Sequence, residues 1–226
     1  DGTIDKYMGD CIMAFWNAPL DVPDHAAKSV RTALAMHEEL RRLNGELKSE
    51  AEQDGSPPIQ LRAGIGLNSG RCCVGNMGSD QRFDYSVIGD TVNIASRFEG
   101  LSRAYGVDIV IGEDTVRQAP GFAFLELDLV RVKGRDAPLR IYTALGDETY
   151  AAGTSFKLLH ERHDQMIAAY RAQDWPAARA ALRDCRLIEP SLGEFHDILD
   201  QRITAFMAVP PPANWDGVHR ATTKQG

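Results

Sequence analysis

The hydrophobic positions along the chain change period several times, and each change marks an element. Residues 3–8 (TIDKYM) and 11–17 (CIMAFWN) are rich in β-forming types, and Gly9-Asp10 between them suits a tight turn, so a hairpin is predicted. A Pro/Asp loop follows at 18–24. Ala26, Val30, Ala33/Leu34, His37, Leu40, Leu43/Asn44 and Leu47 then recur near every 3.6 residues. They predict a long helix capped by Asp24, running to about residue 53 and stopped by the loop at 54–58. Alternation returns at 59–67, with a turn at 68–71, a strand at 72–75 and a polar, glycine-containing loop at 76–83. A short apolar strand at 85–88 leads through Gly89-Asp90 into a helix whose Ile94, Phe98 and Leu101 fall at i, i+4, i+7, with Asp90 or Thr91 as its expected cap. A strand (107–111), a short helix (113–118) and two strands (near 122–133 and 139–145) complete this part. Hairpins mixed with helices, without strict βαβ alternation, imply an α+β fold with a mostly antiparallel sheet flanked by helices.

Beyond residue 145 the pattern becomes helical. The expected division is a domain over 1–146, a linker at 147–154, a helical extension at 155–209 and a Pro-rich tail at 210–226. Helices are predicted at 155–172, 175–188 and 192–209, with Pro176 at a tolerated first-turn position and Pro190 ending the second. The spacing of Trp, Ala and a closing Pro resembles a single tetratricopeptide unit, which ordinarily needs neighbours to bury its faces. The extension is therefore a candidate contact for another domain or protein. The tail reads as extended or disordered, with Trp215 as its one candidate for docking.

Composition narrows the function classes. In 226 residues, 43% hydrophobic content suffices for an ordinary core, and a net charge of −7 argues against nucleic acid or an anionic membrane as general partners. The four cysteines, Cys11, Cys72, Cys73 and Cys185, form no C-x-x-C. No zinc or disulfide framework is visible, which suits a reducing cytoplasm. Cys72 and Cys73 read as core or strand positions. No run of residues reads as a bilayer span or a signal peptide.

Four motifs carry the chemistry: DKYMGD (5–10), GIGLNSG (64–70), YSVIGDTVNIASR (85–97) and RVKGR (131–135). On the predicted central helix Asn93 and Arg97 stand at i, i+4, offering an amide and a guanidinium on one face, a combination suited to a polar anionic ligand. On their own, most such pairs are solvated surface. In this order and approximate spacing, however, the motifs resemble class III nucleotide cyclases, bacterial adenylate cyclases in particular, over roughly residues 1–146.

The resemblance implies a fold with a ferredoxin-like core and conversion of ATP to 3′,5′-cyclic AMP and pyrophosphate. It implies two divalent ions per site, Mg²⁺ or Mn²⁺, bound by Asp10 and by an aspartate on an earlier strand. The chain opens at Asp1 directly into a strand, so that earlier strand is expected upstream, and little activity is expected without it. Lys6 and Ser86 match the purine-reading positions. Lysine there implies adenine, whereas guanylate cyclases typically carry glutamate. Serine departs from the aspartate common in the family but keeps the hydroxyl of a branch that has threonine, which leaves strictness against GTP open. Asn93 would orient the ribose, Arg97 would meet charge on the α-phosphate, and Lys133 would hold the terminal phosphates, with Arg135 as its competitor. Members pair head to tail, so a homodimer with shared sites is implied. The alternatives are a non-catalytic, cyclase-like regulatory module and, less favoured because of Lys6, a guanylate cyclase.

Other motifs read as structural. The glycines of GIGLNSG lack dinucleotide-binding spacing and read as hairpin and close-packing residues. His160 and His163 stand i, i+3 on a predicted helix, with no HExxH pattern and no third ligand adjoining them.

Overall fold

The computed structural model describes residues 1–79, 82–131, 137–212 and 214–220. Its elements run β1 (Thr3–Met8), β2 (Cys11–Phe15), α1 (His25–Asp54), β3 (Ile65–Leu67), β4 (Cys73–Ser79), β5 (Arg82–Ile88), α2 (Asp90–Tyr105), β6 (Ile109–Gly112), α3 (Glu113–Gln118), β7 (Phe124–Arg131), β8 (Leu139–Ala144), α4 (Glu148–Ala152), α5 (Thr154–Arg171), α6 (Trp175–Ile188), a 3₁₀ turn (Pro190–Leu192), α7 (Gly193–Ala208) and β9 (Val218–Arg220). Among the described residues the strands form a five-stranded sheet, ordered β3-β6-β8-β7-β9, and two separate hairpins, β1-β2 and β4-β5.

The α+β class holds, but the main sheet is mixed. β3 and β6 run parallel, as do β7 and β9, while β6-β8 and β7-β8 are antiparallel. Each parallel pair is separated in sequence by helix-containing crossovers, as parallel pairing requires. Alternation on β6 sends Ile109 and Ile111 to one face and Val110 to the other. The first face is covered by Ala26, Val30 and Ala33 of α1 and by Val116 of α3. The second is covered by Ile94, Phe98 and Tyr105 of α2 together with α5, α6 and α7, in one continuous core. Burying a Val or Ile side chain of this kind contributes about 1.5–3 kcal/mol, so the helices after residue 145 are integral to the core of the sheet.

Local expectations fail where backbone groups found other partners. At 59–64 no strand forms, because the Asn44 side chain takes both backbone groups of Leu61, accepting from its N–H at 2.8 Å and donating to its carbonyl at 2.9 Å. Of the expected loop at 76–83, residues 76–79 and 82–83 instead belong to β4 and β5, paired from Cys73↔Ile88 to Ser79↔Arg82. β3 and β4 therefore do not form a hairpin. Close packing does explain GIGLNSG: a Cβ on Gly66 would lie 2.0 Å from the Ala95 carbonyl oxygen, so glycine lets β3 approach α2. Asp24 is in the left-handed region (φ 57°) and makes no side-chain cap, and the N-cap of α2 is Gly89 rather than Asp90 or Thr91. Thr91 donates its hydroxyl proton to the Arg71 carbonyl. Cys72 and Cys73 are exposed rather than core, and Cys73 opens β4.

The stretch read as a linker holds α4, capped by Asp147, whose side chain accepts from Thr149 and Tyr150 N–H. Part of the tail is ordered by Trp215, which packs on Tyr170, Trp175 and Phe206 with ring centroids 5.2–6.4 Å away. That anchor precedes β9, which adds to the sheet beside β7. No described helix is long and apolar enough to cross a membrane.

Candidate active site

The candidate residues lie on the two hairpins and on α2. Gly9, at φ 65°, makes the β1-β2 turn and leaves Asp10 exposed at its tip. Asp10 has no side-chain partner among the described residues. Further along β1, Lys6 pairs in register with Met13, but Ile4 pairs with Ala14, so Asp5 is an extra residue in a β-bulge. A bulge breaks alternation and re-aims a side chain. The Asp5 side chain is only 1% exposed, although Lys6 beside it stays open to solvent.

Asp5 joins the hairpins. Its Oδ2 lies 3.4 Å from Lys6 Nζ and accepts a hydrogen bond from Ser86 Oγ on β5 at 3.2 Å. Ser86 is buried, and Asp84, on the same strand, is exposed. A serine hydroxyl has one proton and two lone pairs. With the proton given to Asp5, Ser86 Oγ is left as an acceptor toward any further partner. Phe15 and Tyr85 pack across the same junction, with ring centroids 6.2 Å apart. Regular alternation would place Asp5 and Lys6 on opposite faces, so the bulge is what brings Asp5 to the site. The signal that could have found Asp5 is its position inside DKYMGD.

On α2, burial of Ile94, Phe98, Ser102 and Tyr105 turns the opposite side outward. Asn93 and Arg97 are on that exposed side, one turn apart, and neither has a side-chain partner among the described residues. Thus the structure brings Lys6 and Ser86 together through Asp5 and leaves Asp10, Asn93 and Arg97 open. Lys133 and Arg135 lie outside the described residues. A cleft of about 450 Å³ between the starts of α2 and α3, lined by Arg71, Asp90, Arg117 and Arg140 among others, contains none of Lys6, Asp10, Ser86, Asn93 or Arg97. The exposed apolar side chains Ile4, Tyr7, Met8 and Ile12 on the first hairpin, and Phe83 and Ile88 on the second, accompany the open polar groups.

Comparison with known proteins gives a consistent picture. The profile of the family described as adenylate and guanylate cyclase catalytic domain matches residues 5–146. Adenylate cyclase 1 of Rhizobium meliloti is 37% identical over 147 residues, 65% of this chain and 21% of that protein. Adenylate cyclase of Anabaena cylindrica is 40% identical over 146 residues, 62% of this chain and 28% of that protein. The chain therefore spans about a quarter of the length of these relatives. Among solved structures, the adenylyl cyclase CyaB from P. aeruginosa matches with a TM-score of 0.54 at 30% identity, covering 65% of this chain and 72% of that one. The guanylyl cyclase Cya2 matches at 0.51 and 30%, covering 65% and 71%.

Proposed function

Because this chain belongs to the adenylate and guanylate cyclase catalytic-domain family, the class III nucleotide cyclases, we propose that it converts ATP to 3′,5′-cyclic AMP and pyrophosphate. The observation that carries ATP over GTP is the Lys6–Asp5–Ser86 cluster. Adenine presents a ring-nitrogen acceptor beside an amino donor. Lys6 supplies a donor for the first. Ser86, its proton committed to Asp5, supplies an acceptor for the second. Guanine presents the reverse, a carbonyl acceptor and an N–H donor, and would leave these groups facing like partners. Unpaired groups in a site built for hydrogen bonding are what make such discrimination strong.

In this reading the ribose 3′-oxygen attacks the α-phosphorus, its proton is released, and the bond to the bridging oxygen of the β-phosphate breaks. Asn93 orients the ribose, and Arg97 donates to the non-bridging oxygens as charge builds there. Lys133 remains the proposed partner of the terminal phosphates. Asp10, an exposed carboxylate without a side-chain partner among the described residues, fits one half of a site for hard divalent cations, Mg²⁺ or Mn²⁺. Bound in a two-metal arrangement, these would acidify the 3′-hydroxyl and neutralise the triphosphate. A homodimer with shared sites is supported by the apolar side chains left exposed on both hairpins.

The test is a cyclase assay on the chain extended upstream through the aspartate-bearing strand that the resemblance calls for, with ATP or GTP as substrate, beside Asp10→Ala. Cyclic AMP formation lost in Asp10→Ala is the expected result. Equal use of GTP would overturn the purine assignment and favour the guanylate reading, to which the likeness to Cya2 lends support. No product from a folded dimer would favour a regulatory module.

A further inference from the structure

Helices α5, α6 and α7 bring together three side chains that the cyclase reading does not use: His163, Cys185 and His196. One ligand atom from each lies within 4.8 Å of the others, and all three residues are 0% exposed. The hydrogen bonding around them is incomplete. His163 Nε2 is 2.6 Å from the Glu126 carbonyl oxygen on β7. That nitrogen therefore carries the proton, and Nδ1 presents a lone pair. Among the described residues His163 Nδ1 has no partner, and neither ring nitrogen of His196 has one. Buried polar atoms are ordinarily satisfied, and three unpartnered ring nitrogens gathered beside a thiol call for an explanation. Burial also holds both imidazoles below their ordinary pKa, in the neutral form, and pushes the Cys185 thiol up to about 12, so a bound cation has to displace its proton.

We infer that His163, Cys185 and His196 bind a thiophilic d¹⁰ cation, Zn²⁺ or Cu⁺. Thiolate and imidazole select such ions, whereas Mg²⁺ and Ca²⁺ require oxygen ligands. Metal–nitrogen and metal–sulfur bonds of about 2.0–2.3 Å place ligand atoms roughly 3.3–3.8 Å apart, so atoms that already lie within 4.8 Å of one another need close by at most about 1.5 Å. On binding, Cys185 loses its proton to solvent. The Glu126 carbonyl then serves as the outer partner that fixes the His163 tautomer and ring orientation. No Asp or Glu among the described residues joins the group. This set suits Cu⁺ in trigonal geometry, or Zn²⁺ with one added ligand. Either ion would tie all three helices together and, through Glu126, to the cyclase sheet. The site is distinct in chemistry from the hard-ion position at Asp10, and it does not depend on the cyclase reaction.

The experiment uses the untagged chain 1–226, stripped of metal and titrated with Zn²⁺ or, without oxygen, with Cu⁺. Stoichiometry is read by elemental analysis and melting temperature by calorimetry. About one ion per chain is expected, with a melting temperature that rises with ion concentration and a thiolate charge-transfer band when Co²⁺ is substituted. Cys185→Ala and His196→Leu should each abolish all three signals. His196→Leu should also melt at or above the temperature of the metal-free parent, because it removes two unpartnered polar atoms. Failure of both ions to bind the folded protein, or binding unchanged in the two variants, would overturn the site and leave the cluster as a dry or water-filled pocket.

Discussion

The helices after residue 145 are held to the sheet by a buried polar group whose removal has a calculable cost. Asp128 on β7 is 3% exposed. Its Oδ2 accepts from Tyr105 Oη at 2.8 Å and from Arg202 Nη1 at 2.6 Å, and its Oδ1 accepts from the Leu129 N–H at 2.8 Å. The Arg202 guanidinium also lies over the Tyr105 ring, 5.0 Å from its centroid. Burial and the Asp128 charge push the Tyr105 phenol up, so it remains the donor. Arg202→Leu deletes the counter-charge and leaves Asp128 buried with neutral donors only. Breaking a buried pair this way costs about 3–5 kcal/mol. Tyr105→Phe removes one hydrogen bond to a charged acceptor, about 1.5–3 kcal/mol. The double variant Asp128→Leu/Arg202→Leu removes the charge as well as its partner and should recover most of the loss. With a urea slope of about 2–3 kcal/mol/M, Arg202→Leu should lower the midpoint by roughly 1–2.5 M. Urea titration followed by circular dichroism and tryptophan fluorescence measures it, since Trp175 and Trp215 pack in the extension. A loss under about 1 kcal/mol, or a double variant as unstable as the two singles summed, would refute the reasoning. The point bears on function because Tyr105 ends α2, the helix that carries Asn93 and Arg97.

Three further outcomes are expected. Asp5→Asn replaces an acceptor-only carboxylate with an amide that also donates, frees the Ser86 proton and weakens the hold on Lys6. The ratio of kcat/KM for ATP over GTP should fall by about 10- to 100-fold, and an unchanged ratio in steady-state assays would remove Asp5 from purine selection. Mixing Asp10→Ala with Arg97→Ala should restore activity that neither has alone if sites are shared between two chains, and silence from a folded, dimeric mixture would count against sharing. Burial first, then Arg202, holds His219 below its ordinary value of 6.5, while Asp128 opposes them. The unfolded chain therefore takes up a proton below about pH 6.5 that the folded chain refuses, and stability present above that pH falls as pH drops. His219→Gln should flatten this slope in melting curves taken between about pH 7 and 5, and an unaltered slope would show that other groups carry it.

Sequence alone determined a good deal. The 3.6-residue recurrence placed α1 and α2, because amphipathic helices bury one stripe whatever they pack against, and the shift in composition with Pro176 and Pro190 placed α5–α7. Runs of β-forming residues joined by Gly9-Asp10 placed the first hairpin, and the order of the four motifs placed the chain in its family. Other features depended on where the chain meets itself. A side-chain amide, Asn44, displaced a strand at 59–64 by taking its backbone hydrogen bonds. A bulge turned Asp5 inward, where it sets the direction of Ser86. Trp215 found an aromatic pocket that ordered the tail into β9. His163, Cys185 and His196 lie far apart along the chain and acquire a common centre only when three helices pack. Periodicity, residue type and motif spacing are properties of neighbouring residues and survive in the sequence. Competition among distant groups for the same backbone donor, buried charge or cavity is settled only in the folded chain.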